Sequence, residues 1–290
     1  MINYNNFAVV ILTHGRADKV YTFNSLRKQG YTGDIYLVID NEDKQQEDYK
    51  KNFKDKVIIF DKQEAIDITD SADNFKKRNS VVFARNIVYK KAKEIGLKYI
   101  LVLDDDYSGY YNCFDNERNY ITKNTKIKNL DGYINAMLKF LIDTNSDCIA
   151  FSQGGDFIGG DNSKIAKLHI KGKLSRKAMN AFFFDVDKPL YFGGRINEDV
   201  NMYITDGKIG KKIFTYARAR LEQIETQANS GGLTEIYKDL GTYVKSFYSI
   251  IYNPSCVKLM MMGVKNKRIH HKILWKYTTP MILSEKHKKI

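Results

Sequence analysis

The 290-residue sequence has few of the residues that usually fix loops, cross-links and metal sites: 3 Pro, 3 Cys and 5 His. Cys113, Cys148 and Cys256 are odd in number, widely spaced and without C-x-x-C pairing, which excludes a disulfide framework and a cysteine zinc site. They indicate a reduced, cytoplasmic protein. No run of about 18 apolar residues occurs, and the N-terminus lacks the pattern of a signal peptide, so we expect no membrane insertion.

Acidic residues are also scarce relative to basic ones. Lys and Arg total 47 against 34 Asp and Glu, which gives a net charge of +13. Such a surplus favours a polyanionic partner such as DNA, RNA or an anionic membrane surface. The alternative is a lysine-rich composition inherited from an AT-rich genome.

The first half of the sequence alternates between strand and helix patterns. Apolar runs predict strands over residues 7–12, 35–39, 57–60 and 99–103, and helical spacing predicts helices over 18–29, 44–53 and 80–95. This alternation predicts an α/β fold with a mostly parallel, Rossmann-type sheet and helices on both faces. Later segments predict a helix over 130–143, strands over 148–152 and 181–186, and a turn into a helix at 193–200. Because no linker is evident, we expect a single domain, 1–290, with a C-terminal elaboration.

Polar residues follow three of the predicted strands where each strand ends. These are His14-Gly15-Arg16, Asp40, and the run Asp104-Asp105-Asp106. Since ligands of open α/β sheets bind beyond the carboxyl ends of the strands, all three should face one crevice. Three adjacent carboxylates repel one another, and oxygen ligands suit Mg²⁺ or Mn²⁺. The alternative for the aspartates is a solvated acidic turn.

Three further groups could carry chemistry. Glu198-Asp199 could supply a base that accepts a proton from a hydroxyl, or could simply complement a helix dipole. Arg16 and Arg85 could bind phosphate oxygens, or could be surface charges. His270-His271 is the single histidine pair in the sequence, and it could complete a metal site or lie in an exposed basic turn.

The last third mixes polar, basic and aromatic residues. A polar stretch that could line an acceptor site, or form an ordinary loop, contains Gln223, Gln227, Asn229 and Gly231-Gly232. Aromatic residues that could stack on nucleic-acid bases, or pack as core, are Tyr237, Tyr243, Phe247, Tyr248, Tyr252, Trp275 and Tyr277.

The order of these signals resembles the metal-dependent glycosyltransferases of the GT-A fold. More narrowly, five segments look like the TET-associated glycosyltransferases of bacteriophages, which attach sugars to 5-hydroxymethyl groups on DNA pyrimidines. The segments are I-L-T-H-G-R-A-D-K, V-F-A-R-N-I-V-Y-K-K-A, L-D-D-D-Y, G-G-R-I-N-E-D-V and Q-x-x-x-Q-A-N-S-G-G-L. The resemblance covers about residues 7 to 235.

The resemblance implies a role for each matching position. The half 1–110 would bind the nucleotide, through Thr13, Gly15, Arg16 and Asp40. Arg85 and Asn86 would lie near the diphosphate or the sugar. Asp104 and Asp106 would frame the metal, although Asp105 could serve as either end of a D-x-D motif. Asp199 would be the base, with Glu198 holding the acceptor or the sugar. The half 111–290 would bind the acceptor. A histidine from this half would also bind the metal, either His270 or His271, with His287 as an alternative.

The resemblance therefore implies a metal-dependent enzyme that moves a sugar from a UDP-sugar to a 5-hydroxymethylpyrimidine in phage DNA, with inversion at the anomeric carbon. The donor would be UDP-glucose or UDP-N-acetylglucosamine, the cofactor Mn²⁺ or Mg²⁺, and the location the cytoplasm of the host cell. Two alternatives stay open: a GT-A enzyme acting on a polysaccharide or a protein, and an inactive nucleic-acid-binding module. The sequence does not indicate an oligomeric state.

Overall fold

The structure is a computed structural model and describes residues 6–75, 77–224, 241, 243–263 and 267–281. Its centre is a nine-stranded sheet with the strand order β3-β2-β1-β4-β8-β7-β9-β5-β6. The strands are β1 (Phe7–Leu12), β2 (Ile35–Asp40), β3 (Val57–Phe60), β4 (Tyr99–Asp104), β5 (Tyr107–Phe114), β6 (Tyr120–Lys126), β7 (Cys148–Gln153), β8 (Ala181–Asp185) and β9 (Ile213–Gln223). A separate antiparallel hairpin pairs β10 (Val257–Met262) with β11 (Arg268–Ile273).

Eight helices accompany the strands in the described part of the chain. They are α1 (Tyr21–Lys28), α2 (Gln46–Phe53), α3 (Lys62–Asp67), α4 (Val81–Glu94), α5 (Leu130–Asp143), α6 (Lys164–Ile170), α7 (Glu198–Lys208) and α8 (Val244–Tyr252). The strands β1 and β3 and the helix α5 have the predicted bounds, and the other predicted elements are confirmed with ends shifted by up to three residues.

The sheet is parallel on one side and mixed on the other. β1, β2, β3 and β4 pair in parallel, as the alternation of strands and helices predicts. Beyond β4 the parallel pattern ends, because β8 runs antiparallel to both β4 and β7. β9 is parallel to β7 and antiparallel to β5. The α/β class is thus confirmed, with the parallel order confined to β1–β4 and to the β7–β9 pair.

Successive residues of the central strands pack on opposite faces of the sheet, since side chains alternate along a strand. Ala8 and Val10 belong to the core beneath α4 and α7, while Val9 and Ile11 belong to the core that holds α1 and α5. Both faces of β1 are therefore covered, which explains its unbroken apolar sequence. Helices lie on both faces of the sheet, as predicted.

Three strands of the nine-stranded sheet were not predicted. β5 begins directly after the aspartate run, and it lies at the far side of the sheet between β9 and β6. β9 alternates buried and half-buried residues, but its sequence I-F-T-Y-A-R-A-R-L-E-Q mixes alanine and arginine, which also suit helices. β6 is an edge strand with an exposed polar sequence, which discourages pairing with other chains.

Candidate functional site

The aspartate run forms a turn at the end of β4, and α1 fixes the shape of that turn. The Thr22 hydroxyl donates to the backbone oxygen of Asp104 at 2.6 Å and accepts from the backbone N–H of Tyr107 at 2.9 Å. The Thr22 N–H donates to the backbone oxygen of Asp105 at 3.1 Å. Backbone groups in this tight turn are thereby satisfied, which leaves the carboxylates to face the crevice.

Asp105 is held by the loop that follows β1. The register of the sheet pairs Leu12 with Asp104, so Thr13 lies beside Asp105. The Thr13 hydroxyl donates to one carboxylate oxygen of Asp105 at 2.7 Å, and Arg16 Nη1 donates to the other at 2.8 Å. Both oxygens of Asp105 are therefore engaged, and the side chain is almost completely buried.

The same loop is fastened to α2. The Tyr49 hydroxyl lies 2.9 Å from Thr13 Oγ1 and accepts from the N–H of Arg16, also at 2.9 Å. The N–H of Gly15 donates to Asp43 at 2.7 Å, and Gly15 has a φ of 66°, a conformation that suits glycine. Burial raises the pKa of Tyr49 to about 12, so the phenol keeps its proton.

Asp40, at the end of β2, is buried between two basic side chains. His14 Nδ1 lies 2.7 Å and Lys62 Nζ 3.2 Å from the same carboxylate oxygen. Burial acts to raise the pKa of Asp40, but the hydrogen bond and charge of His14 and the charge of Lys62 outweigh it, so the pKa is lowered. The hydrogen bond to Asp40 likewise raises the pKa of His14. The strand-end residues predicted to face one crevice are thus brought together in two adjoining clusters.

Arg85 joins the aspartate turn to the acidic start of α7. The arginine projects from α4 and is 2 % exposed. Its Nη2 lies 3.0 and 3.1 Å from the two oxygens of Asp104, and its Nη1 lies 3.3 Å from Glu198 Oε1. The contact with Glu198 is an ion pair without hydrogen-bond alignment. Within the described residues, Nη1 and Nε of Arg85 have no hydrogen-bond acceptor.

The charge of Arg85 is balanced by carboxylates. Burial acts against its charged form, but Asp104, Glu198 and Asp199 outweigh that effect, and the pKa of Arg85 is raised. Phe182 and Phe192 lie against the guanidinium, with ring centroids 5.1 and 5.8 Å away. The arginine is therefore a permanent cation enclosed by acids and aromatic rings.

Glu198 and Asp199 form the buried N-terminus of α7. Gly194, with a φ of 87°, and Asn197, with a φ of 57°, shape the turn that leads into the helix. Burial raises the pKa of Glu198 to about 7 against the opposing charge of Arg85, and burial also raises the pKa of Asp199. One oxygen of Asp199 accepts from the N–H of Val200 at 2.7 Å. Complementing the helix dipole does not require such burial, and buried acids with raised pKa values are typical of functional sites.

Asp106 faces the end of β9. Gln223 Nε2 donates to both of its carboxylate oxygens, at 3.1 and 3.0 Å. Burial, reinforced by the negative charge of Asp104, raises the pKa of Asp106 to about 6. Gln223, predicted at an acceptor site, is thus the neighbour of the aspartate run. Gln227, Asn229 and Gly231-Gly232 lie outside the described residues.

One comparison identifies the family to which the sequence belongs. A family model for TET-Associated Glycosyltransferase matches residues 7–232. The chain belongs to this family. The match covers the strand-end loops, the aspartate turn, Arg85 and the start of α7, which are the parts that meet in the crevice. Among curated proteins, none shows significant similarity to the sequence of this TET-associated glycosyltransferase.

Several solved structures are similar to this TET-associated glycosyltransferase. One is glucosyl-3-phosphoglycerate synthase from Mycobacterium tuberculosis in complex with Mg²⁺ and UDP, at 9 % identity, with 92 % of this chain and 87 % of that chain covered and a TM-score of 0.48. GalNAc-T7 with UDP, GalNAc and Mn²⁺ is 15 % identical, with 80 % and 47 % covered and a TM-score of 0.46. S. aureus TarS is 14 % identical, with 83 % and 39 % covered and a TM-score of 0.41.

The predicted histidine pair of the family member lies on β11. His271 Nδ1 is 3.3 Å from the side-chain amide nitrogen of Asn197, and burial lowers the pKa of His271 to about 4. His270 Nδ1 bonds the backbone oxygen of His271 at 2.8 Å. In the described ranges, no three His, Cys, Asp or Glu side chains are grouped so that they could hold a metal. The structure thus does not bring these histidines together with Asp104 and Asp106, and His287 lies outside its description.

Asn86 has a packing contact in this structure. Its amide nitrogen donates to the backbone oxygen of Phe192 at 2.8 Å, and its amide oxygen accepts from the N–H of Phe192 at 2.9 Å. The amide thereby fastens α4 to the segment before α7. Its proximity to the diphosphate or the sugar stays a prediction, as do the catalytic, nucleotide-binding and metal-binding roles of the other candidates.

The late aromatic residues divide between packing and exposure. Tyr248 is buried, with its hydroxyl 2.6 Å from Asp73, and Trp275 stacks on Tyr203 with ring centroids 5.6 Å apart. Tyr252 packs against Gly193, where a Cβ would approach its ring to 2.7 Å. Tyr243 and Phe247 are exposed. Tyr277 is also exposed, and Tyr237 lies outside the described residues.

Three residues that shape the site were missed in the sequence. Thr22 and Tyr49 lie inside helical patterns, where a hydroxyl gives no sign that it bonds a distant turn. Lys245 looks like one of many surface lysines, yet it is half-buried near Asp199. Their partners are 33 or more residues away in the sequence, so only the register of the sheet and the packing of α8 reveal them.

No helix in the portion of the chain covered by the structure is both long enough and apolar enough to cross a lipid bilayer.

Proposed function

We propose that this protein transfers a sugar from a UDP-sugar to the hydroxyl of a 5-hydroxymethylpyrimidine in DNA, with inversion at the anomeric carbon. The proposal rests on the family and on one structural observation, which is that Arg85 connects Asp104 of the aspartate turn to Glu198 beside Asp199. This bridge joins the aspartate turn, which would bind the diphosphate, to the acidic pair that would supply the base. We further propose that the enzyme works in the cytoplasm of a bacterial host, where phage DNA is modified.

The donor would bind beyond the ends of β1, β2 and β4. This end is lined by Thr13, Gly15, Arg16 and Asp40. Hydrogen bonds from the loop to Asp105 and Asp43 hold it in one shape before a ligand arrives. Preorganisation of this kind lowers the ordering cost of binding. Nη1 and Nε of Arg85, which have no acceptor among the described residues, would donate to oxygens of the diphosphate or the sugar.

A divalent cation would be held by Asp104 and Asp106. Asp105 is buried, whereas Asp104 and Asp106 are only half-buried, which favours the outer two aspartates as the D-x-D pair. Two carboxylates completed by substrate phosphates and water suit Mg²⁺ or Mn²⁺, so the donor set fits the ion. When bound, the ion would neutralise charge that develops on the departing UDP. The addition of His270 or His271 to this set is not required by the geometry.

Asp199 would act as the base. One of its oxygens is fixed by the Val200 N–H, and the raised pKa of the carboxylate makes it a better proton acceptor. The acceptor oxygen would form a bond to the anomeric carbon as the bond from that carbon to the UDP oxygen breaks. The hydroxyl proton would pass to Asp199, and UDP would leave with the bonding electrons. Glu198 would orient the sugar or the acceptor.

Transfer of labelled sugar tests the proposal. UDP-glucose, UDP-N-acetylglucosamine and other UDP-sugars are offered with DNA that contains 5-hydroxymethylcytosine or 5-hydroxymethyluracil, in Mn²⁺, in Mg²⁺ and with EDTA. We expect EDTA-sensitive labelling of one modified DNA, no labelling of unmodified DNA, and loss of labelling in Asp199→Asn. Release of UDP without labelling of any DNA would exclude the DNA acceptor, and labelling that EDTA leaves intact would exclude the metal.

A further inference from the structure

Basic side chains flank the start of α7. Asn197, which precedes Glu198, donates through its amide nitrogen to the backbone oxygen of Lys245 at 2.9 Å and lies 3.3 Å from Nδ1 of His271. α8 therefore holds Lys245 directly beside the acidic pair. The positive charges of both Lys177 and Lys245 act on Asp199 and on His271. By contrast, Arg16 is the cation that acts on Asp105 and Asp106.

The site therefore has two cationic ends. Arg16 lies at the donor end, Arg85 lies in the middle, and the two lysines lie beside Asp199. A base must contact the acceptor hydroxyl, so the groups around it on this second side face the acceptor rather than the nucleotide.

In the described part of the chain, Lys245 has the charge of Asp199 near it but forms no direct contact with a carboxylate. Its side chain is half-buried, yet its Nζ has no hydrogen bond or ion pair there. Lys177 differs, because its Nζ lies 2.6 Å from Asp156. A partly desolvated ammonium without a hydrogen bond is unfavourable. Burial and the charge of Arg268 lower the pKa of Lys245, and the charge of Asp199 offsets them only in part. An anion bound at Lys245 would relieve this cost.

The chemistry of the acceptor indicates which anion this is. In a pyrimidine nucleotide of the usual anti conformation, the substituent on C5 lies on the side of that nucleotide's own 5′-phosphate. A hydroxyl presented to Asp199 would therefore carry a phosphate close to the same residue. Resting on the proposed function, we propose that Lys245, supported by Lys177, forms a subsite for the backbone phosphate on the 5′ side of the target pyrimidine.

The test compares two oligonucleotides and three variants of the full-length protein. One oligonucleotide carries an ordinary phosphate on the 5′ side of a single 5-hydroxymethylpyrimidine, and the other carries an uncharged methylphosphonate there. The variants are Lys245→Ala, Lys245→Arg and, as a matched control, Lys272→Ala. Lys272 is exposed and neighbours His271 in β11, so it points to the opposite face of the hairpin.

We expect the methylphosphonate to lower kcat/KM of the wild-type enzyme by about 10- to 100-fold, which is the effect of losing one charge-assisted hydrogen bond. In Lys245→Ala, kcat/KM should fall by a similar factor on the ordinary oligonucleotide and should fall no further on the methylphosphonate oligonucleotide. Lys245→Arg should recover part of the loss, Lys272→Ala should match the unmodified enzyme, and the Kd for UDP should be unchanged in all of them.

Four results would overturn the subsite. Equal losses from Lys245→Ala on both oligonucleotides would place the lysine away from this phosphate, and a raised Kd for UDP would assign it to the donor. Normal transfer by Lys245→Ala would remove it from acceptor binding, while leaving the proposed function intact. If the unmodified enzyme labels neither oligonucleotide under any donor and metal, the proposed function fails, and the subsite fails with it.

Discussion

Replacement of Arg85 by methionine is the most informative single perturbation of the buried network. The change keeps much of the side-chain volume between Phe182 and Phe192 but removes the cation shared by Asp104, Glu198 and Asp199. Removal of one partner from a buried ion pair costs about 3–5 kcal/mol, because the remaining charges stay desolvated and uncompensated. We expect the free energy of unfolding to fall by about that amount at pH 8.

The melting temperature should fall with it. An unfolding entropy of about 2.1 cal/mol/K per residue, over 290 residues, is about 0.6 kcal/mol/K, so a loss of 3–5 kcal/mol lowers Tm by about 5–8 °C. The measurements are urea unfolding and differential scanning calorimetry. Arg78→Met is the matched control, because Arg78 pairs with Glu42 at the surface, where an ion pair contributes little. Its Tm should be almost unchanged.

The decrease in the free energy of unfolding caused by Arg85→Met should also depend on pH. The pKa of Glu198 is already raised to about 7 with Arg85 present, and without that cation it should rise further. An acid whose pKa is higher in the folded state binds protons preferentially when folded, so the variant loses stability as pH rises from about 4.5 through the folded pKa. The destabilisation should therefore be larger at pH 8 than at pH 6. A loss that is equal at both pH values, or smaller than that of Arg78→Met, would refute the network of charges around Arg85.

Three further predictions concern the base, the donor loop and the core. Asp199→Asn should lower kcat by about 100- to 10,000-fold, the usual contribution of a general base, while leaving the Kd for UDP unchanged in a calorimetric titration; a large rise in that Kd would place Asp199 at the donor instead. His14→Ala should lower stability by less than about 1 kcal/mol, because His14 is half exposed. Because the pKa of His14 is raised, its contribution to stability is complete below about pH 6.5 and is lost as pH rises through the folded pKa. Because the pKa of Asp40 is lowered, its contribution to stability is complete above about pH 4 and is lost as pH falls through the folded pKa. The difference in urea midpoint between the two proteins should thus be greatest between about pH 4 and 6.5, and a difference that grows above pH 7 would contradict the pairing. Phe183→Ala should cost about 3–5 kcal/mol in urea unfolding, because Phe183 is fully buried in β8; a loss below about 1 kcal/mol would mean that this part of the core collapses to fill the cavity.

The sequence by itself determined the parallel part of the fold and the locations of the candidate acids. β1 and β4 are continuous apolar runs because both faces of these strands are covered, and their ends carry the polar residues that a parallel sheet gathers at one edge. Such features depend on residues within a few positions of one another, so periodicity and turn residues are enough to find them. The family resemblance followed from the same local segments.

Only the tertiary structure decided how these segments meet. The antiparallel insertion of β8 and the placement of β5 beside β9 depend on pairing between residues far apart in the chain, which local patterns do not specify. The bridge from Asp104 through Arg85 to Glu198 joins β4, α4 and α7. The position of Lys245 depends on the packing of α8 beside Asn197. Burial, which sets the pKa values of Glu198 and Asp199, exists only once these elements have packed.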